Sequence, residues 1–134
     1  MLPPVARARL VAVLAFAGLG LAACGGGRPG VSPQAAGASE AATVSGGVQH
    51  LTVHAGSDLR FAQTALTAHP GKVELTLQVT GSTPHDLMFS DGPTGGTPTV
   101  QNGSSQVTLT FSTPGTYHFL CTIHPQMTGT LAIS

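Results

Sequence analysis

From Val48 onward, apolar residues return at every second position. Leu51 and Val53 alternate with His50, Thr52 and His54; Val73, Leu75, Leu77 and Val79 with Glu74, Thr76 and Gln78; Val107, Leu109 and Phe111 with Thr108 and Thr110. A period of two is that of a strand with one face in a core and the other in water, and no stretch shows the 3.6-residue period of a surface helix. Shorter apolar groups at 59–61, 65–67, 87–89, 117–121 and 130–134 predict further strands. Turn chemistry divides them at Pro70-Gly71, Asp91-Gly92-Pro93, Asn102-Gly103 and Pro114-Gly115. The weakly patterned stretch 92–106 predicts a loop with one short strand at 99–101. Residues 48–134 thus predict an all-β domain, an antiparallel Greek-key β-sandwich of seven to eight strands. The 134-residue chain has room for that one core and no second.

The chain ahead of this domain has a different character. Residues 1–23 hold Arg7 and Arg9, then an apolar run through Leu10, Phe16, Leu19 and Leu21, then small residues, which is a secretory signal layout. Leu21-Ala22-Ala23-Cys24 resembles the bacterial lipoprotein signal, in which the cysteine becomes the new N-terminus and carries lipid. Cys24 is therefore the expected lipidation site, tethering an extracytoplasmic protein to a membrane. Several acyl chains make such anchoring stable, at about 0.8 kcal/mol per buried CH₂. Ordinary cleavage nearby, with Cys24 a free thiol or absent from the product, is the alternative. Residues 24–47 are rich in Gly, Ala, Ser and Pro. They predict a flexible linker, since they offer too little apolar surface to offset the entropy of ordering.

Charge narrows the function classes. Charged residues make up 7% of the chain and balance at zero. Loss of Arg7 and Arg9 with the signal leaves the mature chain slightly acidic. No basic stripe exists to grip phosphates, so a nucleic-acid partner is not expected.

With Cys24 lipidated, Cys121 has no internal disulfide partner, and an unpaired thiol in an oxidising compartment requires a reason. It opens the run Cys121-Thr122-Ile123-His124-Pro125-Gln126-Met127, which concentrates a thiol, an imidazole and a thioether in one tight loop between the last two predicted strands. A further imidazole, His85, stands in Thr83-Pro84-His85-Asp86 at the start of a predicted strand, whose end can lie beside that loop. Two His, one Cys and a weak axial Met are the ligand set of a mononuclear blue-copper centre. Copper(II) favours tetragonal nitrogen and oxygen surroundings and copper(I) accepts soft sulfur, so a site held between the two needs little rearrangement when an electron moves. Ligand type alone leaves zinc open.

Residues 48–134 resemble a cupredoxin of the plastocyanin and amicyanin type. The resemblance is carried by Pro84-His85, by Pro114-Gly115-Thr116-Tyr117, and by the spacing Cys-x2-His-x2-Met-x-Gly from Cys121 to Gly129. It implies His85, Cys121 and His124 as equatorial ligands and Met127 as the axial one. It implies one type 1 copper ion as cofactor and single-electron transfer, without substrate turnover, as the function. It further implies a monomer with redox partner proteins docking weakly where His124 reaches the surface among Ile123, Pro125 and Pro84. Two departures stand out. Family members commonly carry Asn after the first His ligand, whereas this chain has Asp86, whose carboxylate can accept from Thr122 but cannot donate. Leu120 stands where plant plastocyanins place a Tyr used as a remote electron route.

Other readings compete with this one. Cys121 and His124 alone would read as a buried small hydrophobe and a surface imidazole, or as a nucleophilic pair lacking a clear orienting partner other than Asp86. A copper storage or delivery protein would keep the same site, and an adhesion sandwich would keep only the fold. His50 and His54 lie on one strand face, about 13 Å apart at roughly 3.3 Å per residue, too far to share an ion. His118 points outward if Tyr117 and Phe119 fill the core, and Tyr117 is expected to be structural.

Overall fold

The computed structural model describes residues 36–134; the expected signal segment and Cys24 lie outside them. Ten strands form in chain order: β1 (Ala38–Ala41), β2 (Thr43–Ser45), β3 (Val48–Ala55), β4 (Gln63–Ala68), β5 (Gly71–Val79), β6 (His85–Phe89), β7 (Gly96–Val100), β8 (Gly103–Phe111), β9 (Gly115–Leu120) and β10 (Thr128–Ile133). They make two sheets, ordered β1-β4-β10-β9-β6-β7 and β2-β3-β5-β8. The β-sandwich read from the alternation is the observed architecture. Its ladders are mixed rather than wholly antiparallel: β1 with β4, β4 with β10, and β3 with β5 run parallel.

The period of two places the core. Leu51 and Val53 of β3 and Val73, Leu75, Leu77 and Val79 of β5 bury their side chains against Leu66, Leu87, Phe119, Leu131 and Ile133 of the facing sheet. Four aromatic contacts tie this interior together, with ring centroids 5.5 Å apart for Phe61–Phe119, 5.9 Å for Phe89–Phe119, 5.2 Å for Phe89–Phe111 and 5.0 Å for Phe111–Tyr117, all edge to face. Tyr117 is structural as expected, its hydroxyl donating to the Thr113 carbonyl at 2.7 Å. His118 points outward, and both its amide and its ring bond Asp91, at 2.6 and 2.8 Å.

Three local expectations are corrected. Residues 38–45, expected within the linker, are paired: β1 adds an edge to one sheet and β2 to the other, with Ala42 making the crossing. These strands are almost wholly exposed, so small polar residues suffice and no apolar alternation marks them. Residues 59–61 form no strand, because Leu59 takes a left-handed conformation (φ 56°) that interrupts extended pairing, leaving Phe61 a single bridge to Ala55. The strand expected at 99–101 lies at Gly96–Val100.

Gly129 shows how tightly β10 packs beside the loop of interest. A Cβ there would stand 2.2 Å from Phe119 Cζ, far closer than van der Waals contact allows. Gly129→Ala is expected to destabilise the fold by about 1–3 kcal/mol through overpacking, seen as a lower urea midpoint at unchanged m-value. An unchanged midpoint would show that the Phe119 ring moves aside freely.

Candidate metal centre

One end of the sandwich breaks the alternation. In β6 three successive residues, His85, Asp86 and Leu87, are all buried. The β6–β7 register shifts between His85 and Leu87, and the Leu87 amide turns to Thr97 Oγ1 at 3.0 Å. A bulge of this kind re-aims side chains next to functional sites. Here it lets His85 and Asp86 both point into protein, one towards Cys121 and the other towards Thr122.

His85 is fully buried and held at both ring nitrogens. Its Nε2 lies 3.0 Å from the Gly56 carbonyl, and its Nδ1 lies 3.9 Å from Cys121 Sγ. Because a carbonyl only accepts, the proton resides on Nε2 and Nδ1 presents its lone pair to the sulfur. Burial, reinforced by the nearby His124 and opposed mainly by the Gly56 bond, holds the His85 imidazole below the usual histidine range. The neutral, ligating form is therefore the resting one at neutral pH.

The other donors come from the turn between β9 and β10. Cys121 follows the last residue of β9, and its amide donates to the Met127 carbonyl at 3.0 Å, while the Met127 amide donates to the His124 carbonyl at 2.9 Å. These two bonds fold the seven-residue run back on itself. His124 Nδ1 lies 3.8 Å from Cys121 Sγ, and its ring stands next to that of His85, with centroids 4.9 Å apart at 52°. Cys121 and Met127 are fully buried and His124 is partly exposed.

Asp86 joins the two segments. Its Oδ1 accepts from the Thr122 amide at 2.7 Å, and its Oδ2 accepts from the Thr122 hydroxyl. Both oxygens act as acceptors, the role of an ionised carboxylate. Asp86 thereby ties β6 to the cysteine loop.

The donor atoms of His85, Cys121 and His124 all fall within 4.8 Å of one another, the one such cluster among the described residues. An ion with bonds of about 2.0–2.3 Å to nitrogen and sulfur in a roughly trigonal set spaces those atoms about 3.7 Å apart. The observed 3.8 and 3.9 Å separations fit it closely. Two imidazoles, a thiol and a buried thioether beside them form the soft, partly nitrogenous set that suits mononuclear copper. The remaining histidines stand apart: His50 pairs with Glu74 at 3.0 Å and His54 bonds Gln63. Gly56 is the site residue that sequence reasoning misses. It acts through a backbone carbonyl, which every residue type carries, 29 positions upstream of its partner.

Comparison with known proteins places the fold. The cupredoxin-like domain family matches residues 34–133. Auracyanin A, a blue copper protein of the green thermophilic photosynthetic bacterium Chloroflexus aurantiacus, superposes with a TM-score of 0.56 at 20% identity, covering 66% of this chain and all of that one. Dithionite-reduced auracyanin of Roseiflexus castenholzii gives 0.54 at 19%, over 63% and 96% of the two chains. A reduced tryptophan-to-tyrosine variant of amicyanin gives 0.52 at 27%, over 79% and 95%. No curated protein sequence matches the chain. With the family matched across all the strands described above, the chain belongs to the cupredoxin-like domain family.

Proposed function

We propose that this protein is a mononuclear type 1 copper carrier of single electrons, held by lipid on Cys24 at the extracytoplasmic face of a membrane. The observation that carries the reading is the convergence of two imidazole Nδ1 atoms and the buried Cys121 sulfur, at 3.8 and 3.9 Å, with Met127 also buried. His85, Cys121 and His124 would hold the ion, with Met127 as the weak fourth ligand. Bound there, copper supplies a one-electron couple.

The chain's own part is rigidity and access. Gly56 fixes the tautomer and tilt of His85, the 121–127 backbone bonds fix the thiol, and Asp86 fixes Thr122 against β6. Donors so restrained keep their positions through a change of charge, and outer partners of this kind also tune the ligands they touch. His124 alone of the three clustered donors reaches the surface, next to exposed Ile123. Its imidazole edge is the contact for redox partner proteins, through the small, fast-releasing interfaces typical of such encounters. One copy supplies every donor, which supports action as a monomer.

Copper(II) added to the reduced full chain should give an intense blue absorption and a narrow copper hyperfine splitting in the paramagnetic resonance spectrum. Cys121→Ser should lose both while keeping the fold. A colourless, ordinary tetragonal spectrum from the native protein would rule the site class out, and a poorly reversible couple with rapid metal hand-over would turn the reading to copper delivery.

Asp86 allows a second test. Asn in its place can still accept from the Thr122 amide and can donate to the Thr122 hydroxyl, so Asp86→Asn removes a charge while retaining the tie. The carboxylate favours the more positive oxidation state, so its loss is expected to raise the reduction potential. Redox titration of both proteins checks the sign, and an unchanged or lowered potential would show that Asp86 acts by position alone.

A further inference from the structure

We propose that Leu59 is a positioning residue for the metal centre: its core-anchored side chain holds a left-handed backbone that keeps the Gly56 carbonyl aimed at His85, and so restrains that imidazole as a ligand. This rests on the reading of His85 as a copper donor.

The residue that supplies the carbonyl does not specify where it points. Gly56 does not have a left-handed backbone. A Cβ on it would meet nothing nearer than Asp58 Oδ1, at 3.5 Å, an ordinary contact. Most residue types could offer the same oxygen.

The aim of that oxygen is set by the connection it opens. The chain is fixed on either side: the Ala62 amide donates to the His54 carbonyl at 2.8 Å, the Thr80 amide to the Ala55 carbonyl at 3.0 Å, and Ala55 bridges Phe61. Residues 56–60 must therefore reverse the chain between two clamped ends. The Leu59 amide closes the reversal on the Gly56 carbonyl at 3.2 Å, and His85 Nε2 donates to the same oxygen at 3.0 Å. A rotation that moved this acceptor away from one donor would move it from the other.

Tight reversals commonly close on a residue with positive φ, normally Gly. Here it is Leu, at φ 56°. A bulky side chain in that region is a steric outlier, and such backbone persists only where the surrounding structure over-determines it. The Leu59 side chain is partly buried against the hydrophobic core. Two residues on, Phe61 is buried and packs edge to face on Phe119 at 5.5 Å. Two apolar anchors thus straddle exposed Arg60 and hold the turn by its closing residue. The other non-glycine with positive φ among the described residues is Asn102, a residue type that adopts it readily. Leu59 is therefore the strained position, and its amide shares an acceptor with a donor imidazole.

The test begins with the metal-free full chain, by following solvent exchange of the His85 Nε2 proton in nitrogen-15 NMR. Leu59→Gly suits the backbone but removes the anchor, whereas Leu59→Ala removes the anchor and keeps the strain. Both are expected to speed exchange about tenfold or more, through freer opening of the turn. Leu59→Met, apolar and of similar volume, should stay near the native rate. Slow exchange of the β5 and β8 amides checks that the sandwich is intact, and Leu59→Gly carries the test should Leu59→Ala not fold. With copper added, the Gly and Ala substitutions should raise the reduction potential, because a loosened nitrogen donor costs copper(II) more than copper(I). Native exchange in Leu59→Gly would overturn the proposal. Faster exchange with an unchanged potential would overturn the link to the metal. Faster exchange, in a protein whose native form gives no blue copper spectrum, would leave Leu59 holding His85 and overturn the copper reading alone.

Discussion

The meeting of β6 with the 121–127 turn is the constraint on which this molecule's chemistry depends. The two segments are 36 residues apart in sequence for the Asp86–Thr122 pair, and they are joined by two hydrogen bonds to one carboxylate. Hydrogen bonds to an ionised acceptor are about twice as strong as neutral ones, and these lie at a largely buried side chain. Without them, His85 would be placed by β6 and Cys121 by β9, with only the short Met88–Leu120 and Phe89–Phe119 ladder between the strands to set their separation. The tie makes the distance between imidazole and thiol a property of the fold.

That property explains how a buried cluster of polar and soft groups is tolerated by a small core. A neutral imidazole with one nitrogen satisfied by a carbonyl costs little to desolvate, whereas a charged one would cost several kcal/mol. The pressure of burial on His85 selects the neutral form. A buried thiol packs as a small hydrophobe, and a thioether fills irregular gaps. His85, Cys121 and Met127 are therefore acceptable core residues in their own right. Among the described residues, none carries a buried side-chain nitrogen or oxygen left without a partner.

The sequence is uneven in what it discloses. β3, β5 and β8 are legible because each turns alternate apolar residues inward, and the 121–127 loop is legible because sulfur and imidazole donors crowd seven positions. β1 and β2 are not, since edge strands exposed on both faces need no apolar residues and Gly-Ala-Ser composition reads as linker. The parallel ladders escape for a different reason: a period of two fixes which face is buried but says nothing about the direction of the neighbouring strand. Leu59 misleads because an apolar residue beside Phe61 reads as strand, while its left-handed backbone helps shape the turn that presents the Gly56 carbonyl. The Leu59 amide also donates to that carbonyl, at 3.2 Å, so one oxygen serves both turn and site.

The two ends of the sandwich divide the work. At one end Tyr117 closes on Thr113, Asp91 caps the His118 backbone, and Gly92, with φ near 81°, lies so close to the Tyr117 ring that a Cβ would fall 2.4 Å from it. These contacts set how β8 and β9 enter the core, and they involve none of the donor atoms. At the other end the connections 56–62, 80–84 and 121–127 border the donor cluster or the chain's entry, and of the strands β6 supplies one donor, His85. Rigid ladders thus hold irregular loops at one rim, where alternation can be broken without cost to the core. β9 spans the body between these ends, and Phe119, packed against Gly129 and Phe61, stands two residues from Cys121, as Gly129 does from Met127.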